Sequence, residues 1–484
     1  MKIVNRTRAS ALALAVIGVL AASQANASGF QLRENSSKAM GRASAGSAVA
    51  KGDAAVVANN PAAMTNFDRL TVQGDVTVID LTAEFSGSAC TVISATVCRP
   101  VAGGNGGDPG DPTVVPAMAM VMPLTGAFEG LTLGASISAP FGLATKYDPT
   151  WVGRYNATTS EVKVPALNVS AAVKITDTLS AGVGLVYQRA DVTLANAIDF
   201  GRLLGAIGVP GALPGSADGS VSISGADNGL GWTAGLQWRP SDRFAIGYSH
   251  RSEVDHVIQG DADFTVPASF VGVQPGLRTN ATALATAIAN LPAATPPATR
   301  AAMVAQYQQL LVLGNAFGDT SGTAKLTTPS IDTLSVEVGV TDAWRLYGEY
   351  QQTDWSSLRQ VAIDFGNPYQ PDSAEAFHWK NSKYYAIGTE FDLSPSFTLR
   401  AGIGKDESPT NDVDRTPRLP DNDRMLYAIG ATWNAGEHLS LNAGYMRITI
   451  DTPTVHALSS SNSLLTGSFD GNANLFTVGA QYKF

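Results

Sequence analysis

The sequence predicts an all-β fold, a 14-stranded antiparallel transmembrane β-barrel, and three observations carry that prediction. Only 15% of the 484 residues are charged, against about 25% in a typical soluble domain, while 48 are glycine. The longest uninterrupted apolar run, Ala11 to Ala22, is twelve residues. That falls well short of the ~20 that a spanning helix needs, which excludes a helical membrane protein. Runs that alternate large apolar with small or polar residues recur between tight turns, the period of strands. A net charge of -9 without a basic block excludes a nucleic-acid binder.

The elements follow in order. Lys2, Arg6 and Arg8 form a positive n-region, Ala9 to Ala22 an apolar h-region, and Ala25-Asn26-Ala27 a small-residue cleavage site. Residues 1–27 are therefore expected to be a signal peptide; a short N-terminal anchor is the alternative, disfavoured by the short h-region. Losing these three basic residues takes the net charge from -9 to about -12. Residues 28–69 do not read as barrel. Small residues dominate Gly41-Arg42-Ala43-Ser44-Ala45-Gly46, followed by Asn59-Asn60-Pro61-Ala62-Ala63-Met64. Such a stretch is either a disordered tail or a plug, since a barrel of this size leaves a channel unless something fills it.

The barrel is expected over 70–484. Six tight turns separate alternating runs: Pro123 to Gly126, Ile175 to Thr178, Pro240 to Asp242, Val340 to Asp342, Asp392 to Pro395 and Asn434 to Glu437. Six hairpins give twelve strands. One strand before them (Leu70, Val72, Val76, Val78) and one after (Phe476, Val478, Ala480, Tyr482, Phe484) make the even total of a bacterial outer-membrane barrel. Parity then assigns the faces. Leu334, Val336, Val338 and Val340 point outward with Trp344, Leu346 and Tyr350. Thr333, Ser335, Glu337, Arg345, Tyr347, Glu349 and Gln351 point inward, as do Glu390, Arg400, Arg251 and Glu253.

Cys90 and Cys98 enclose seven residues of a Gly/Ser/Thr-rich stretch and read as a loop disulfide, with two free thiols as the alternative. With no nearby histidine they make no zinc site, and neither metal nor cofactor is expected. Two long loops carry apolar residues at helical spacing. Phe200, Leu203, Leu204 and Ile207 lie in one. In the other, Leu284, Ile288 and Leu291 stripe a first helix; Met303, Tyr307, Leu310 and Leu311 stripe a second, begun by Thr295 as N-cap and Pro296 at N1. Such stripes serve equally for helices packing on one another or for an apolar docking groove outside the membrane.

Together these pieces resemble the FadL-type outer-membrane transporters of long-chain fatty acids and other hydrophobic compounds. The likeness runs through Ser28-Gly29-Phe30-Gln31-Leu32, Gly41-Arg42-Ala43 with Gly46, Asn60-Pro61-Ala62, Phe67-Asp68-Arg69 and Phe141-Gly142-Leu143-Ala144-Thr145. It continues through Arg251-Ser252-Glu253-Val254, Thr353-Asp354-Trp355-Ser356, Asp406-Glu407-Ser408-Pro409 and Pro420-Asp421-Asn422-Asp423-Arg424. The resemblance implies a Gram-negative outer-membrane location and a barrel plugged by an N-terminal hatch, here residues 28–69 with Gly41, Arg42, Asn60 and Pro61. It implies docking of ligand on the two loops and transfer to a site beside the hatch. Release would be lateral, into outer-membrane lipid, through a kink in the third strand at Pro140, Phe141 and Gly142. Proline cannot donate to a ladder, and a Pro with a Gly in a strand marks a bulge or break.

The ligand implied is a long-chain fatty acid, or a neutral monoaromatic hydrocarbon by the same route, carried by a monomer. Lys380 and Arg154 are the candidate partners for a fatty-acid carboxylate, with lumen or loop ion pairs as the competing role. An outer-membrane lipid hydrolase is the rival class. The sequence has no G-x-S-x-G, and the adjacent Ser249 and His250 fall on opposite faces of a strand, so no enzyme is expected.

Overall fold

The computed structural model describes residues 29–484; the signal peptide expected over 1–27 lies outside the described residues. Twenty strand segments join one antiparallel sheet that closes on itself as fourteen staves. In chain order these are β1 (Thr71–Ser94), β2 (Thr113–Pro123), β3 (Leu131–Lys146), β4 (Thr159–Lys174), β5 (Leu179–Asp199) and β6 (Asp218–Ser241). Four staves are broken into two segments each: β7 (Phe244–Arg251, Val254–Thr265), β8 (Thr320–Thr328, Ile331–Gly339), β9 (Trp344–Thr353, Gln360–Phe365) and β10 (Ser373–Ala376, Ser382–Ser394). The last four are β11 (Phe397–Asp406), β12 (Arg424–Ala435), β13 (Leu439–Ile450) and β14 (Ser463–Lys483). Pairing of β1 with β14, from Thr71 opposite Lys483 to Thr91 opposite Ser463, closes the ring.

All six expected turns join successive staves at one rim, which the short connections mark as periplasmic. Long connections occupy the other. Among them, Val97–Pro100 extends β1 as a hairpin whose Cys90 and Cys98 are disulfide-bonded.

Alternation along the staves separates the two faces. Leu185, Leu230, Ile387 and Val478 are more than 60% exposed to the outside, whereas Thr333, Ser335, Glu337 and Glu349 are buried inside. Outward aromatic residues recur on one face six positions apart: Trp238 and Trp232, Trp344 and Tyr350, Phe391 and Tyr385, Trp433 and Tyr427. Two such girdles flank the apolar band of an outer-membrane barrel. Glu253 corrects the parity count. It is exposed, because β7 is interrupted between Arg251 and Val254 and the alternation does not carry across the break.

The lumen is filled by residues 29–67. Short helices α1 (Ser37–Met40) and α2 (Val56–Asn59) and the 3₁₀ turn Pro61–Asn66 alternate with tight bends. Ser36 caps α1, its hydroxyl accepting from the Ala39 N–H, and Asn60 caps the 3₁₀ turn with Pro61 in the first position. Asn60 also donates to the carbonyls of Ala48 and Leu236, tying the segment to itself and to β6.

Small side chains are needed for this fit. Ala43, Ser44 and Gly46 have positive φ, and a Cβ on Gly46 would strike the Tyr347 ring. A Cβ on Gly402 of β11 would strike the Arg42 carbonyl. Charge fastens what shape admits. Arg42 pairs with Glu390 of β10, which also takes Arg400 at 2.6 Å and Arg345 at 3.3 Å, and Arg33 pairs with Asp406 at 2.8 Å.

Candidate functional site

The wall of the barrel is open at one place. β2 pairs with β1 over Thr113 to Val121, but with β3 only from Met118 opposite Ile137 down to Pro123 opposite Thr132. Above that level the edges of β2 and β3 run unpaired. The cause lies in β3. Ala139 and Pro140 together face Pro165 of β4, so the register slips by one residue between Ser138 and Phe141. Beyond the slip β3 rejoins β4, from Phe141 opposite Val164 to Lys146 opposite Thr159.

Pro116 of β2 and Pro165 of β4 both border the opening, so three neighbouring staves each bring a residue that cannot donate to a ladder. The gap encloses about 280 Å³ between Leu32, Val115, Ala139, Phe141 and Val164.

The inner segment takes up part of the pairing that β3 gives up. Leu32 donates its N–H to the Pro140 carbonyl at 2.8 Å, and Gly142 donates to the Phe30 carbonyl at 2.7 Å. This two-bond bridge places Phe30 against Phe141, Trp355 and Trp379, at ring-centroid distances of 6.0, 4.6 and 5.9 Å. Trp355 and Trp379 sit in the interruptions of β9 and β10, where the chain leaves the ladder and can turn large rings inward. Gly29 donates to Asp421 at 2.9 Å, fixing the start of the segment. Burial pushes the Asp421 carboxyl up from its ordinary range, opposed by Arg424 and by the bonds from Ser408 and Gly29.

Above Phe30 lies a cavity of about 140 Å³. Its walls are apolar: Leu143, Val162, Val192, Ile258, Leu326, Ile363, Trp379 and Leu419. One polar corner holds Arg418, each of whose three nitrogens makes a hydrogen bond. It bonds Glu375 at 2.9 Å, Asn196 at 3.2 Å, and both the Thr159 carbonyl and the Ser160 hydroxyl at 3.3 Å. Phe30 lines this cavity, Leu32 lines the gap, and Val162 lines both. The two spaces therefore meet at the bridge between the inner segment and the kink.

The residues expected from sequence divide as follows. Pro140, Phe141 and Gly142 form the break, and Gly41, Arg42, Asn60 and Pro61 lie buried in the inner segment. Lys380 is exposed and lines neither space, so it is not inward as expected. It falls in the interruption between the two segments of β10, where His378 takes positive φ and Trp379 is the residue turned inside. Arg154 is buried in a loop ion pair with Asp218 at 2.8 Å and also bonds the Ala102 and Trp151 carbonyls. It lies away from both spaces.

The loop stripes form helices α3 (Phe200–Ala206), α4 (Ala268–Val271), α5 (Gln274–Ala289) and α6 (Pro297–Asn315). Phe200 and Leu204 are buried against Phe270, Leu277 and Leu313, making a small core between the two loops rather than an open groove. Leu203, Ile207, Leu284, Ile288, Met303, Tyr307, Leu310 and Leu311 are half-buried. The start of α6 is one residue later than expected, with Pro296 as N-cap and Pro297 in the first turn. Arg418, Trp355, Trp379, Pro116 and Pro165 were not among the sequence candidates. The two prolines carried the same signal as Pro140, a Pro inside an alternating run.

A family model described as outer membrane protein transport protein (OMPP1/FadL/TodX) matches residues 18–484. The long-chain fatty acid transport protein of Escherichia coli K12 is 29% identical over 89% of this chain and 90% of its own length. Outer membrane protein P1 of Haemophilus influenzae is 27% identical over 97% of this chain and 98% of its own. In fold, a FadL homologue of Pseudomonas aeruginosa superposes with a TM-score of 0.80 at 21% identity, covering 94% of this chain and 99% of that one. The toluene transporter TbuX of Ralstonia pickettii gives 0.60 at 16% identity with the same coverage.

Proposed function

The chain belongs to the outer membrane protein transport family (OMPP1/FadL/TodX), and on that premise we propose that it carries long-chain fatty acids passively across the outer membrane. As a member it is an outer-membrane transporter of hydrophobic small molecules and not an enzyme. In this reading ligand first settles on the half-buried apolar residues of the loop helices. It passes to the cavity above Phe30 and leaves sideways between β2 and β3 into outer-membrane lipid. Residues 28–69 act as the hatch. The single observation that carries the reading is the meeting of an apolar cavity and a wall gap at one two-bond bridge, Leu32 to Pro140 and Gly142 to Phe30.

Ligand binding above Phe30 drives release only if it favours a parted bridge over a closed one, since a ligand shifts an equilibrium by its differential affinity alone. Two backbone hydrogen bonds, each worth about 1 kcal/mol net, are a barrier of the size that burying a few methylenes, at about 0.8 kcal/mol each, can offset. The fatty acid is preferred over a neutral aromatic because the E. coli relative at 29% identity bears that name, whereas the likeness to a toluene transporter lies in fold alone.

The test is side-by-side uptake of a labelled long-chain fatty acid and a labelled monoaromatic hydrocarbon by cells with and without this protein. Dependence of the fatty acid on the protein is the expected result. Dependence of the hydrocarbon alone replaces the substrate, and dependence of neither removes the transport reading.

A further inference from the structure

The buried arginines of the interior are nearly all paired with carboxylates. Buried Lys38 is satisfied by the Gly52 carbonyl and the Gln481 side chain. Among the described residues, buried Arg42, Arg154, Arg400, Arg415, Arg418 and Arg424 each pair with a carboxylate, as does half-buried Arg33. Arg251 does not. It is 8% exposed, its one hydrogen bond runs across the lumen from Nη1 to Asn168 of β4 at 3.3 Å, and its Nε and Nη2 are buried without a partner. An unpaired guanidinium in a low-dielectric interior is costly, and such a group is the natural receptor for an anion.

Arg251 lines a third space, a polar cavity of about 70 Å³ below the bridge. Ser138, Ala139 and Pro140 of the kink form one wall of it, and Gln31, Ser249 and Glu349 form others. Leu32, Ser138 and Ala139 also line the wall gap, so the polar cavity opens where the gap begins. Glu349 presents an Oε1 that likewise lacks a partner, and no ion pair joins it to Arg251. The volume admits a small head group with a water or two, but not an acyl chain.

We propose that Arg251 receives the carboxylate of an amphiphilic ligand while its tail lies in the gap between β2 and β3, so that the protein selects for an anionic head group at its exit. The inference rests on the transport reading above. The carboxylate oxygens accept from Nε and Nη2 of Arg251, and a water brought with the head group donates to Glu349. Arg418 is excluded from this role because its charge is already paired with Glu375 and each of its nitrogens bonds a neighbour, and Lys380 because it is exposed. The wall gap then holds the tail of the ligand and the polar cavity its head, after the ligand has left the apolar cavity above Phe30.

The experiment compares uptake of labelled oleate and of labelled oleyl alcohol, which share a chain and differ in charge, in cells carrying the wild type, Arg251→Gln or Arg251→Lys. Loss of two charge-assisted hydrogen bonds is expected to lower oleate uptake by about tenfold or more in Arg251→Gln and to leave the alcohol unaffected. Arg251→Lys is expected to lie between. Unchanged oleate uptake in Arg251→Gln, or an equal loss of both compounds, overturns the proposal. Wild-type cells that take up neither compound overturn the transport reading, and the proposal falls with it. A readout independent of any variant is the carboxyl resonance of carbon-13-labelled oleate bound to the wild type. It should stay ionised at a pH where the same carboxyl in a micelle is protonated, and titration alike in both overturns the assignment.

Discussion

A Pro140→Ala, Gly142→Val variant is expected to insert as a folded barrel and to take up ligand no faster than cells lacking the protein. Pro140 and Ala139 together oppose a single residue of β4, and the edges of β2 and β3 part above Met118. Alanine at 140 restores an N–H, and valine at 142 adds a β-branched side chain that favours regular extended backbone. The new Cβ at 142 would also lie 3.0 Å from Leu32 Cδ1, pressing the inner segment away from the kink. Both changes favour a ladder continued upward between β2 and β3, which closes the gap. Heat-modifiable migration on gels checks folding, and labelled uptake checks function. Uptake at the wild-type rate by a folded variant contradicts the lateral route.

Glu390→Gln is expected to loosen the inner segment while leaving the barrel closed. Glu390 is the shared partner of Arg42, Arg400 and Arg345, and Tyr347 bonds it as well. Removing one member of a buried ionic cluster leaves the others uncompensated and costs about 3–5 kcal/mol. Here the cost is shared between the segment, through Arg42, and the wall, through Arg400 and Arg345, while the ladder through Glu390 is backbone pairing with β9 and β11 and is kept. Amide exchange over residues 37–50 should speed up, and cells should become sensitive to large hydrophilic antibiotics that a filled lumen excludes. Unchanged exchange across that stretch would show that shape alone holds the segment.

The barrel was legible because its signals are local. Turn chemistry and a period of two are written into six or eight consecutive residues, so all six turns and most inward and outward assignments followed from sequence. Parity failed where a strand is broken. Glu253 sits in the interruption of β7 and Lys380 in that of β10, and a count carried across either break assigns the wrong face.

The kink was legible at Pro140 by the rule that equally marks Pro116 and Pro165, but their convergence depends on which staves are neighbours and at what register. The apolar cavity was not legible at all. It draws Val162, Ile258 and Leu326, each of which reads as an ordinary inward strand residue, together with Leu419 from the connection between β11 and β12. The loop helices show the limit of periodicity. Their stripes were read, yet Phe200 and Leu204 turned inward to pack on Phe270 and Leu313, and no spacing distinguishes that from an open surface.

The most direct test of the account is photo-crosslinking with a long-chain fatty acid that carries a diazirine near its tail, followed by mass spectrometry of the labelled protein. The account predicts adducts in the apolar cavity, at Val162 and Leu326, and in the wall gap, at Val115 and Pro116. Adducts instead at the periplasmic end of the inner segment, where exposed Lys51 pairs with Asp242 of a short turn, would contradict it and place the route straight down the lumen.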